Sequence, residues 1–173
     1  MKKLLLPFFL LGCIAMIVVM TKTSAGLKTP VTPRGIIDLE FAYNTTKTSA
    51  ILHAWAPTTQ TNNIAVAKTN TYWDFLFLFF YAGFLFLACK KIAATIKGPV
   101  AKAGNIIAKA AIAAGFLDVI ENAGMLLTLN NYNSPAYAFC TTFFSVIKWA
   151  LVLIAVLYVL TGLLVLAYRR IKY

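Results

Sequence analysis

Four stretches of the chain are apolar at nearly every position: Leu4 to Met20, Tyr72 to about Ile96, about Gly104 to Leu129, and about Ala136 to Tyr168. A helix needs about 20 such residues to cross a hydrocarbon layer of about 30 Å. The last three stretches reach that length, and the first, with about 17 residues rising roughly 25 Å, is short but adequate. The pattern predicts an all-α fold, a polytopic four-helix membrane bundle forming one domain over residues 1–173.

The first stretch has a second reading. Met1-Lys2-Lys3 before an apolar core, with Thr23-Ser24-Ala25 after it, has the form of a signal sequence, but signal cores usually run only about 7–15 residues. Its length favours a retained first helix. Leu10-Leu11-Gly12-Cys13 faintly resembles a bacterial lipobox, yet Ile14 to Met20 stays apolar where a lipoprotein turns polar.

Residues 21–71 change to Thr, Asn, Pro and scattered charge. A connection of that length is far beyond the usual loop of about 4–6 residues, so it should carry structure of its own. Thr32-Pro33 fits an N-cap and first helical position, and Ile37 with Phe41 gives an apolar face to a short helix over Ile36 to Tyr43. Ile37-Asp38-Leu39-Glu40-Phe41 also alternates as a strand does. A second helix runs from a Thr48 or Ser49 cap through Ile51, Leu52 and Trp55 to a stop at Pro57. Both are expected to lie as a cap over the bundle mouth, with Trp55, Tyr72 and Trp73 in the interfacial aromatic belt.

Composition supports the membrane reading. The chain is 61 % hydrophobic and 12 % charged, with a mean hydropathy of +0.79, whereas soluble domains are about 45–50 % apolar. The formal charge of +11 comes from 16 basic and 5 acidic residues. The bases sit at the ends of the apolar runs, which marks topology and not a nucleic-acid footprint. Placing both termini and the Lys90 to Lys109 connection on one side gathers most of the bases there. By the positive-inside rule that side is cytoplasmic, so the expected location is the inner (plasma) membrane, with membrane lipids as partners and residues 21–71 outside.

Candidate chemistry is sparse. The cysteines Cys13, Cys89 and Cys140 lie in apolar runs without ligand spacing, and His53 is the lone histidine, so no metal site and no cofactor is implied. No phosphate-binding glycine loop and no nucleophile–base pair of known spacing is present. His53 suits a surface or cap role better than a catalytic one. Asp38 and Glu40 suit solvated or helix-start carboxylates, with the alternative that they reach the membrane site from above. Asp74 opens the second span as a first-turn carboxylate, in a segment crowded by Phe75, Phe77, Phe79, Phe80, Phe84 and Phe86.

The exception to this sparseness is Asp118-Val119-Ile120-Glu121-Asn122, which places two acids and an amide deep in the third span. Ionisable groups at that depth are costly and mark functional candidates. Asp118 and Glu121, three apart, share one side of a helix and cannot both carry charge cheaply without a cation nearby. Lys148 supplies one. Asp118 precedes the third span's end by about 11 residues and Lys148 follows the fourth span's start by about 12, so both lie roughly 17 Å down.

Seams of mostly small residues support that pairing. The third span carries Gly104, Ala108, Ala111, Gly115, Asp118, Asn122 and Met125 at three- and four-residue steps; the fourth carries Thr141, Ser145, Lys148, Val152, Ala155, Val159 and Gly162. Run antiparallel, these seams pair Met125 with Thr141, Asp118 with Lys148, Ala111 with Ala155, and Gly104 with Gly162. One acid is then left over, making Glu121 the candidate proton carrier or general acid/base, with Ser145, Asn122, Tyr137 and Asp74 lining a cavity open to the outer leaflet. The plain alternative is a satisfied polar network that fixes helix register.

Asp38-Leu39-Glu40-Phe41-Ala42, Trp73-Asp74-Phe75-Leu76-Phe77 and Asp118-Val119-Ile120-Glu121-Asn122 together resemble a family of uncharacterised small bacterial inner-membrane proteins with four predicted spans. The resemblance implies architecture and carries over no catalytic residue. In layout only, the chain faintly resembles the sterol-isomerase and sigma-2-receptor group, which binds lipophilic amines and sterols in acid-lined membrane pockets. The leading expectation is binding, or processing, of a lipophilic small molecule among Asp118, Glu121, Asn122, Lys148, Asp74, Ser145, Asp38 and Glu40. The alternatives are a structural subunit, as a homo-oligomer or in a membrane complex, and a small proton-coupled transporter or channel subunit. Against the transporter, the seams below Asp118 hold only Gly, Ala and Val.

Overall fold

A computed structural model describes residues 2–59 and 61–172 of the chain. The described residues are helical throughout their regular structure: α1 (Lys2–Thr23), a single 3-10 turn (Ala25–Leu27), α2 (Ile36–Glu40), α3 (Thr45–Ala54), α4 (Asn63–Thr95), α5 (Pro99–Leu129) and α6 (Pro135–Lys172). Four of these, α1, α4, α5 and α6, are long and apolar enough to cross a membrane, making this a multi-pass membrane protein. The alternating Ile37–Phe41 segment is helix, not strand.

Helix boundaries are set by local chemistry. Asn62 caps α4 by accepting from the backbone N–H of Ala65, so this helix begins well before Tyr72. Asn44, not Thr48 or Ser49, caps α3 by accepting from the Lys47 N–H. Thr32 caps nothing; its hydroxyl donates to the Leu27 carbonyl at 2.6 Å, and α2 instead follows Gly35, whose φ of +66° suits glycine. Gly98, at φ +81°, turns the chain into α5, with Pro99 at its first position.

α5 packs along both α4 and α6, and α1 packs on α4. Glycines permit the close approaches. The Phe80 ring lies over Gly12 and the Phe9 ring over Gly83, a reciprocal lock between α1 and α4 in which any added Cβ would collide. Between α5 and α6 the antiparallel seam forms, but its far end differs from the simple pairing. Gly104 sits under the Tyr158 hydroxyl, Gly162 takes Ile92 of α4, and Thr141 rests on Gly124 next to Met125. Three helices meet at that end, and the bulk of Ile92 fills the notch that Gly162 leaves open.

Residues 24–59 fold over one end of the bundle. Trp55 is fully buried there, donating from Nε1 to the Leu27 carbonyl at 3.0 Å, so it belongs to the cap's core and not to the interfacial belt. Leu27, Leu39, Ile51 and Trp55 pack onto Ala67 of α4 and Met125 and Leu129 of α5. Asn133 stitches the α5–α6 turn to α3 through Thr48 and Ser49. Tyr72 and Trp73 are exposed.

Candidate functional site

Of the chain's 5 acidic residues, four meet inside the bundle around Lys148. Its Nζ lies 2.8 and 2.9 Å from the two oxygens of Glu121, 3.1 Å from Asp118 Oδ1 and 3.5 Å from Glu40 Oε2. The Asp118–Lys148 pair thus forms across α5 and α6. Glu121, expected to lack a counter-charge, is instead the acid closest to Lys148, because its α5 position three residues on faces the same gap. It is fully buried and does not reach lipid.

The other carboxylates are met by further donors. Tyr81 donates to Asp118 Oδ2 at 2.7 Å. Asn122 donates to Asp74 Oδ2 at 3.0 Å and, more weakly, to Asp118 Oδ1 at 3.4 Å. Glu40 Oε2 accepts from Trp149 Nε1 at 3.0 Å and from the Ser145 hydroxyl at 3.2 Å, while Thr142 donates to the Glu40 backbone carbonyl. Asp118, Glu121, Asn122, Ser145, Lys148, Glu40 and Asp74 are all buried.

Two placements depart from expectation. Glu40 is not a solvated cap charge but follows the alternative of reaching the membrane site from above: α2 dips into the mouth between the helices and hands Glu40 to α6. Asp74 is not at a helix mouth, because α4 starts at Asn63 and puts it about 11 residues, roughly 16 Å, along the helix. Asp38 stays apart, held by Arg34 at 2.8 Å and by the Arg34 backbone N–H at 2.7 Å. His53 and Tyr137 are exposed and outside the cluster. The residues missed by sequence reading are Tyr81, Trp149 and Asn70. Extending the three-and-four periodicity to α4 would have placed Asn70, Asp74, Phe77 and Tyr81 on one face.

Beside the cluster lies a cavity of about 620 Å³. α4 forms its back wall, α2 its roof, and α1 and α6 its sides; α1 packs on α4 and stands off from α6. The walls are apolar, with Cys13, Ile17, Phe77, Leu85, Val152 and Val156 among them. Its polar members are few: Asp74, Glu40, Lys148, Asn70, Tyr81 and Trp149 mark the inner edge, and Thr21, Ser24 and Thr71 lie toward the cap. Asp118 and Glu121 stand one layer behind, reached through Lys148 and Tyr81. Among the described residues no His/Cys/Asp/Glu group is arranged to hold a metal ion.

No known protein family, curated protein or solved structure matches the chain. The functional reading therefore rests on the site itself.

Proposed function

We propose that this protein binds a lipophilic small molecule taken from the bilayer, in the cavity between α1, α4 and α6. The observation that carries this reading is the cavity of about 620 Å³, within the roughly 300–1,000 Å³ of small-molecule sites, with apolar walls and a few convergent polar groups at one edge. Acids are normally kept out of membrane interiors, and here four of them stand at or directly behind that edge. The gap between α1 and α6 gives a lateral way in from lipid. A structural-subunit role gains no support from Glu121, since α5 and α6 already cover it. The basic far ends of the helices favour the inner membrane with both termini cytoplasmic, which a reporter fused to the carboxyl end would check.

Val152 lines the cavity, and Val152→Trp fills it while leaving every charged residue of the cluster in the sequence. Native mass spectrometry of the gently purified protein should show a co-purifying lipophilic species in the wild type that is depleted at least tenfold in the variant. The same adducts in both proteins would refute the cavity as the binding site.

A further inference from the structure

The polar edge of the cavity is one-sided. Asp74 accepts one hydrogen bond, from Asn122, and makes no ion pair among the described residues. One helical turn away on the same face, Asn70 is 1 % exposed and lines the cavity. Its Nδ2 is committed to the Met20 carbonyl at 3.1 Å and the Thr23 hydroxyl at 2.8 Å, while its Oδ1 has no partner. Glu40 adds a third acceptor. The donors at this edge are already taken: Lys148 is drawn to Glu121 and Asp118, Tyr81 to Asp118, and Trp149 to Glu40.

Four carboxylates share one ammonium, and buried charge must be balanced by protons or by a cation. An edge offering unfilled acceptors and surplus negative charge selects an occupant that brings donors and positive charge. Phe77, Tyr81 and Trp149 also line the cavity, and aromatic rings beside a site favour a cation.

We propose that the occupant is a cationic amphiphile, a hydrocarbon body carrying a protonated amine, whose ammonium is held by Asp74 with Asn70 and Glu40. The proposal rests on the cavity being a binding site. A zwitterionic phospholipid head fits poorly, because its phosphate would face carboxylates with no free donor to meet it.

The test titrates the detergent-solubilised full chain by native mass spectrometry with three probes sharing a dodecyl chain: dodecylamine, dodecanol and dodecylphosphoethanolamine. Dodecylamine should bind at least about tenfold more tightly than either of the others, since a site built around polar partners rejects analogues that cannot supply them. Asp74→Asn keeps an acceptor for Asn122 and should bring the amine down to the level of the alcohol. Glu40→Gln keeps the Trp149 and Ser145 bonds and should weaken the amine by a smaller factor, which serves if Asp74→Asn does not fold. Asp38→Asn, outside the cavity, should change nothing. Equal binding of amine and alcohol would overturn the cationic head while leaving the binding site intact. Phosphoethanolamine binding as tightly as the amine would overturn it in favour of a lipid headgroup. Binding of none of the three would overturn the binding site as well.

Discussion

The same three helices, α4, α5 and α6, build two different interiors on either side of Lys148. Toward the cap they enclose Asp74, Asp118, Glu121, Asn122 and Ser145 beside the cavity. Toward the far end they close on Cys89, Ala108, Ala111 and Ala155, all fully buried, with Gly104 under Tyr158 and Gly162 against Ile92. The far half shows that these helices need no buried charge to pack closely. Small residues suffice, because they let backbones approach and gain dispersion contacts along their length. The charges on the cap side are therefore not explained by helix association, and they stand where a cavity does.

Thermal unfolding of purified variants in one detergent would sharpen this contrast. Lys148→Met should have the largest effect, a loss of about 3–5 kcal/mol, since it strands several buried carboxylates without their cation. Gly104→Leu, in the far half, should cost about 1–3 kcal/mol by forcing Tyr158 aside, and should leave ligand binding unchanged. Asp38→Asn, breaking a pair whose Arg34 side chain is 64 % exposed, should cost about 0–1 kcal/mol. If Lys148→Met proved milder than Gly104→Leu, the cluster would be self-sufficient in protons, and the distinction between the two halves would fail.

How far each region could be read from sequence follows from how local its determinants are. The four long helices were legible because nearly every residue in them is apolar, and the α5–α6 hairpin because Asp118 and Lys148 share both a depth and a seam. The role of Glu40 was legible only as the alternative that it reaches the membrane site from above, because the choice depends on a short helix entering the bundle and meeting residues more than 100 positions away, as in its bond with Ser145 at a separation of 105. Its flanking Leu39 and Phe41 hinted at burial but fitted helix and strand alike. Asp74 was misplaced because Asn63 to Thr71 is polar enough to resemble loop, whereas one face of that extra helical length, Ala67, Asn70 and Thr71, is buried. Trp55 looked interfacial since its indole N–H suggested water, and the Leu27 carbonyl takes water's place.

The position of Glu40 also sets an order of assembly. Glu40 is made early, yet its side-chain partners Ser145, Lys148 and Trp149 belong to α6, which leaves the ribosome well after it, with Lys148 following by 108 residues. Until α6 is inserted, the cap can lay its apolar core on α4 and α5, but its carboxylate has no ammonium to receive it. The Glu40 contact therefore forms only after α6 is inserted, and a chain truncated before α6 should show residues 24–59 cleaved by protease faster than in the full chain.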